Sequence, residues 1–259
     1  MGEKEMTFWE HLDELRKVLF RSAVVIAVLM AGIFMAKDFV FNTVVFAPID
    51  SDFVLYRLID KALVMLNMPT LPEFHLELIN IDLSAQFFIH VSTTFYFALV
   101  LAIPFIIYQL WSFVKPALYD NEKRAAQAAF AFSGVLFLLG VLVGYYLIFP
   151  LTLRFLGTYQ VSYEVANQIS LQSYISMFTW LILIMGVVFE MPSLAVILSK
   201  IGILTKSFLK KYRRHAFVVM LVVAAFITPS GDPFTLMAVG LPLYGLYELS
   251  ILVCRDFDK

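Results

Sequence analysis

Cysteine is almost missing from this 259-residue chain: Cys254 stands alone, so neither an internal disulfide nor a thiolate metal set can form. No His-Glu-x-x-His occurs, and the four histidines, His11, His75, His90 and His215, are scattered. A zinc-protease motif is thereby excluded, and the lack of any Gly-x-x-x-x-Gly-Lys removes a phosphate-binding loop for ATP. Charge is scarce too. Only 15% of residues are charged, whereas 61% are hydrophobic and mean hydropathy is +0.85. A soluble domain of this length would expose far too much apolar surface, so the composition predicts an integral membrane protein. There is no repeat at a fixed period and no low-complexity tract, which speaks against two inverted transporter halves. The acidic opening residues, and an apolar run that starts only near Val18 without a small-residue cleavage site, predict no cleaved signal.

What is present is a set of long charge-poor runs, each to be compared with the roughly 20 residues a helix needs to cross about 30 Å. They predict an all-α single membrane domain with six transmembrane helices, at about 18–36, 83–108, 125–151, 174–198, 215–228 and 233–252. The fifth and sixth are short, which would thin the bilayer around them. Residues 7–17 form an N-terminal amphipathic helix, 38–82 an external segment, and 109–124 and 199–214 cytoplasmic loops. With both termini in the cytoplasm, fifteen of the nineteen Lys and Arg residues fall inside and only Lys37, Arg57, Lys61 and Arg154 outside. That imbalance sets the orientation.

Within the basic inner face, Glu14 and Glu122 are acids that topology does not require. Thr7-Phe8-Trp9-Glu10 fits a capping box, so a helix starts before the membrane. Along it Phe8, Leu12, Leu15 and Leu19 make an apolar stripe, with Glu10, Asp13, Glu14 and Lys17 away from it. Pairing of Glu14 with Lys17 and repulsion from Glu10 nearly cancel. Glu14 therefore reads equally as a ligand-binding acid and as a solvated one. Glu122 follows Asp120, a good helix N-cap, and a first-turn acid suits the helix dipole; the same carboxylate could also face an incoming cation.

In the external segment, Phe53, Tyr56, Ile59, Ala62, Leu63 and Leu66 recur at helical spacing, predicting a surface amphipathic helix that is either a packing cap or a docking surface. His90 reads as a bonded helix-packing residue. Glu190, near the inner end of the fourth span, is costly in lipid. It reads either as a hydrated or protonated structural acid or as part of a polar patch in the concave face of the bundle that recruits a partner's helix. Glu248 in the sixth span reads as structural.

Four stretches, Phe8-Trp9-Glu10-His11-Leu12-Asp13-Glu14-Leu15-Arg16, the Tyr108–Arg124 loop, Phe189-Glu190-Met191-Pro192, and Ile227-Thr228-Pro229 followed by Asp232, together resemble TatC, the core subunit of the twin-arginine translocase. The resemblance covers nearly the whole chain, in order. It implies a signal receptor, without enzymatic activity, that binds twin-arginine signal peptides of folded cargo at the cytoplasmic face. Translocation would be driven by the transmembrane proton gradient, with small single-span subunits of the TatA/TatB type as partners. On the family pattern Glu14 and Glu122 read the arginine pair, Phe113, Pro116, Leu118 and Tyr119 shape the loop around them, and Arg16 belongs to the same N-terminal motif. Glu190 and the polar positions Thr228 and Thr235 would meet partner helices, and Asp232 is the external turn acid.

The chain departs from better-known members in its longer first external segment and in Ser-Gly between Pro229 and Asp232. No catalytic residue, metal, cofactor or nucleic acid is implied. The expected location is the cytoplasmic (inner) membrane of a bacterium, multi-pass, with a thylakoid membrane ranked second, and the expected assembly is a homo-oligomer within a receptor complex. The competing function class is a proton-coupled small-molecule transporter using Glu190 and Glu248.

Overall fold

A computed structural model describes residues 8–117, 120–162, 164, 167–200, 202–228 and 232–254. The expected capping residue Thr7 lies outside them. Charge-free sequence becomes helix wherever no breaker intervenes. The first helix, α1 (Phe8–Met35), runs unbroken through the N-terminal motif and the first span. The N-terminal helix expected at 7–17 is the inner end of a rod continuous with the first span, because nothing between Lys17 and Val18 breaks it. Leu12 and Leu19 of the expected apolar stripe are exposed, and Val18 and Ser22 are the residues buried in the bundle.

After α1 the chain turns through a π-helical stretch (Phe39–Val45) and a single 3-10 turn (Ala47–Ile49) into α2 (Val54–Met65), the helix expected on the outer surface. A two-residue strand β1 (Leu78–Ile79) precedes α3 (Ala85–Val114). Helix α3 passes Pro104 and ends only at the 3-10 turn Lys115–Ala117. The expected loop 109–124 is accordingly much shorter, since Pro116 is the first residue after Pro104 that stops the helix. Next come α4 (Asp120–Val143), a π-helical stretch (Gly144–Ile148) and α5 (Phe149–Thr158), which together make the third span. Strand β2 (Ile169–Ser170) pairs in parallel with β1.

The fourth span is α6 (Leu171–Val188) and α7 (Met191–Lys200), broken at Phe189 and Glu190. Pro192 explains the break: its ring collides with the Val188 carbonyl and it has no N–H to give, yet it fits the first turn of a new helix. The expected loop 199–214 is corrected in part, because α8 (Lys206–Lys211) forms inside it, capped by Thr205, whose side chain accepts from the Phe208 N–H at 3.1 Å. Last are α9 (Arg213–Ile227) and α10 (Pro233–Val253). Of the two closing spans, expected to be short, α9 has 15 residues, about 22 Å at 1.5 Å per residue. Helix α10, with 21 residues, has a full crossing length. Helix α9 thus carries the shortness.

Most of the buried core lies in the outer half. Phe149, Tyr174, Leu181, Met185, Ile148 and Val45 are all sealed there, and tyrosines tie the external segment down. Tyr174 donates to the Val45 carbonyl at 2.6 Å, Tyr145 to Val44 at 2.9 Å, and Tyr56 to Pro150 at 2.9 Å. Arg154 lies over the rings of Tyr56 and Phe74 and bonds the Pro72 carbonyl at 2.6 Å. Helices α4 and α6 touch through glycine. A Cβ on Gly140 would stand 2.5 Å from the Met185 oxygen, and one on Gly186 2.7 Å from Phe137, so only the bare backbone permits this approach. A smaller cluster of Ala195, Leu209, Tyr247, Ile251 and Cys254 closes the inner end between α7, α8 and α10.

Candidate signal-recognition face and intramembrane acid

Helices α1 and α3 run antiparallel, and two ring stacks fix their register. His11 lies on Phe113 with centroids 4.2 Å apart and planes at 22°, and Phe34 lies on His90 at 4.0 Å and 13°. The first stack is at the inner end. Between the two stacks, Ser22 of α1 and Ala102 of α3 are both buried, small residues where two helices approach closely.

Glu14 follows His11 by three positions, and Val18 follows Glu14 by four, so all three share the face that α1 turns toward the end of α3. The Glu14 side chain is 43% exposed and accepts from Lys17 Nζ at 2.6 Å. That bond, with the Lys17 charge, holds the Glu14 carboxyl below the usual carboxylate range. Glu14 is therefore ionised at neutral pH. One of its oxygens is engaged by a solvent-exposed ion pair, screened by water and so weak enough for an incoming guanidinium to displace.

Phe113, half-buried beneath His11, stands one residue before the end of α3, and the exposed Pro116 makes the turn beyond it. Trp111 is buried against Phe130 of α4, ring centroids 5.4 Å apart, so α3 and α4 are packed together at this same end. Glu122 stands in the first turn of α4, where the helix dipole favours an acid. The backbone thus carries Glu122 to the end of the bundle that presents Glu14. Leu118 and Tyr119 lie outside the described residues. Arg16 is exposed and, two positions after Glu14, points about 200° around the helix from it, so the structure does not bring these two together. His11, which sequence spacing alone does not single out, is the residue that stacks on Phe113 one turn ahead of Glu14.

Glu190 sits in the break between α6 and α7. Ser133 of α4 donates to its Oε2, and Ser193 donates to the Ala129 carbonyl at 3.3 Å beside it. Its Oε1 is buried with no hydrogen-bond partner among the described residues, an acceptor that calls for water, a proton or a donor from another helix. Glu248 accepts from Arg213 of α9 through Oε2, and its Oε1 is likewise buried without a hydrogen-bond partner among the described residues.

The remaining polar positions serve the fold where they stand. Thr228 is buried and donates to the Ala224 carbonyl at 3.0 Å. Thr235 is fully buried; its N–H donates to Asp232 at 2.8 Å and its hydroxyl to the same carboxylate at 2.5 Å. Asp232 is therefore the N-cap of α10, with Pro233 in the first helical position.

The family model for the Sec-independent protein translocase protein (TatC) matches residues 10–242. A TatC protein of Blattabacterium from Periplaneta americana is 37% identical over 99% of this chain and 98% of its own. TatCy of Bacillus subtilis is 32% identical over 98% of this chain and 91% of its own. Two solved structures share this fold. The crystal structure of the twin arginine translocase receptor TatC matches with TM-score 0.67 and 31% identity over 94% of this chain and 97% of that one. The same receptor in DDM matches with TM-score 0.72 and 31% identity over 95% of this chain and 100% of that one. Six helical spans, both termini inside, and these similarities along nearly the full length agree: the chain belongs to the TatC family of Sec-independent protein translocase components, as a multi-pass protein of the bacterial inner membrane.

Proposed function

We propose that this protein is the signal receptor of a twin-arginine translocase, reading the arginine pair with Glu14 and Glu122. The observation that carries the reading is Glu14 itself, an ionised, half-exposed acid on the α1 face that His11 and Phe113 lock against α3, at the end where α4 begins and carries Glu122 in its first turn. Arginine offers a planar fork that a carboxylate accepts with both oxygens, which Lys17 cannot do from its single contact. Two acids on one face match two adjacent arginines. The solved relatives, described as twin-arginine translocase receptors, support the same assignment.

Exposed pairs at about 0.2–1 kcal/mol each fall far short of the roughly 8 kcal/mol that micromolar binding needs. The apolar part of the signal therefore supplies most of the grip by lying along helices that already face lipid, and the acids supply discrimination. Small single-span subunits of the TatA/TatB type dock where Glu190 offers its unfilled acceptor, and the proton gradient drives transport of folded cargo by receptor complexes holding more than one copy. The transporter alternative is disfavoured, since it needs Glu248 as a proton relay and an arginine, Arg213, already pairs with one oxygen of that carboxylate.

Site-specific crosslinking tests the assignment. An Arg-Arg signal peptide carrying a photoreactive group beside the arginines is expected to label α1 around Glu14 and the α3–α4 turn. Labelling confined to the outer surface, or substrate uptake into vesicles by the purified chain alone, would overturn it.

A further inference from the structure

Helix α2 is fastened to the bundle by one face only. On that face Phe53 and Tyr56 are buried, Phe53 packs on the rings of Tyr145 and Tyr146, and the Tyr56 hydroxyl reaches Pro150. Asp60, the one acid within the helix, is turned back to accept the Leu71 N–H at 2.8 Å. The opposite face is apolar and open: Leu58 is 58% and Met65 83% exposed, and the chain continues past the helix end with Leu66 and Met68 exposed as well. Arg57 and Lys61 stand exposed on this same side, and neither makes an ion pair among the described residues. The spacing Val54, Leu58, Lys61, Met65 follows the three-and-four repeat of one helix face.

The depth of this face follows from the third span. Helix α4 enters the membrane after Arg124, and about 20 helical residues cross the hydrocarbon, so its outer edge lies close to Tyr145. Tyr145 and Tyr146 are then at the level where aromatic side chains gather at a bilayer surface, and α2 rests on both. Basic residues are few outside, namely Lys37, Arg57, Lys61 and Arg154, yet two of these four stand on the exposed apolar face of one short helix. Apolar residues flanked by Lys and Arg, with the local acid turned inward, are the pattern of a helix lying in the headgroup region, its basic stems reaching phosphate.

We infer that the outward face of α2 is a lipid-docking surface. Leu58, Met65 and Leu66 enter the acyl boundary of the outer leaflet, and Arg57 and Lys61 engage the phosphates of anionic phospholipid. The long external segment then anchors the cap to the bilayer as well as covering the helices.

The test uses the full-length protein in liposomes, on a Cys254→Ala background, with a nitroxide attached in turn at Leu58→Cys, Met65→Cys and, as a water-exposed control, Glu77→Cys. Collision with oxygen and with a water-soluble nickel chelate reports the surroundings of each label. In vesicles containing phosphatidylglycerol, the labels at positions 58 and 65 are expected to favour oxygen several-fold over the control. Arg57→Glu with Lys61→Glu should move both labels toward the chelate while helix content stays unchanged, and Arg57→Gln with Lys61→Gln should do so to a lesser degree. Chelate access equal to that of the control in every vesicle would overturn the inference and leave the face to a protein partner or to water. Oxygen preference that ignores the charge reversal would overturn the phosphate pairing.

Discussion

At the outer end of this protein Tyr56 is sealed from solvent, and its hydroxyl donates to a carbonyl of the third span, while at the inner end Glu14 is 43% exposed and shares one weak bond with Lys17. The two ends use polar groups for opposite purposes. Outside, Tyr56, Tyr145 and Tyr174 each bond a main-chain carbonyl and so fix a long segment to the bundle. Inside, Glu14 stays reachable and its single pairing with Lys17 is easily rearranged, as the proposed reading of an arginine pair requires. On the proposed function, stability and recognition are divided between the ends of the same helices, and substitutions at the two ends should separate.

The largest loss of stability is expected from Tyr56→Ala, about 3–5 kcal/mol for removing a buried aromatic ring, seen as rapid proteolysis within the external segment. Tyr56→Phe should cost only about 1 kcal/mol, for the lost bond. Asp232→Ala comes next: loss of the α10 cap, with Thr235 left without its carboxylate, should cost about 0.5–2 kcal/mol in thermal unfolding in detergent. Lys17→Ala should change stability by under about 0.5 kcal/mol while leaving Glu14 more open to an arginine. If Lys17→Ala proved as damaging as Tyr56→Ala, the division between the ends would fail.

The smallest effect is expected of pH. A carboxyl held low by Lys17 adds stability that is complete above the ordinary carboxylate range and disappears as pH falls through the lowered value. Binding of a signal peptide should accordingly stay level from neutral pH down to that range and weaken only below it. Weakening already near pH 7 would assign the arginines to another group.

Much of the fold was legible because lipid imposes long apolar runs, and a run either meets a breaker or it does not. Helix α2 was visible from its spacing, and the Glu190 break from Pro192. The helix of 7–17 runs on into the first span and α3 continues to Val114, because a helix ends at a breaker and not where the length of one crossing is used up. The parallel pairing of Leu78 and Ile79 with Ile169 and Ser170 joins segments far apart in the chain, and two-residue strands leave no period to read. At the site, Glu14 and Glu122 stood out as acids among bases. The His11–Phe113 stack and the Ser133 bond to Glu190 did not, since each depends on which helices become neighbours. The cap that Asp232 gives to Thr235 was legible in Asp232-Pro233-Phe234-Thr235, an N-cap followed by proline in the first helical position.

The most direct test of the two-carboxylate reader is the affinity of Arg-Arg and Lys-Lys signal peptides for the wild-type protein and for Glu14→Gln and Glu122→Gln in liposomes. Each substitution is expected to weaken the Arg-Arg signal several-fold and the Lys-Lys signal distinctly less, because only the guanidinium loses a two-oxygen acceptor. Equal losses for the two signals would contradict the account.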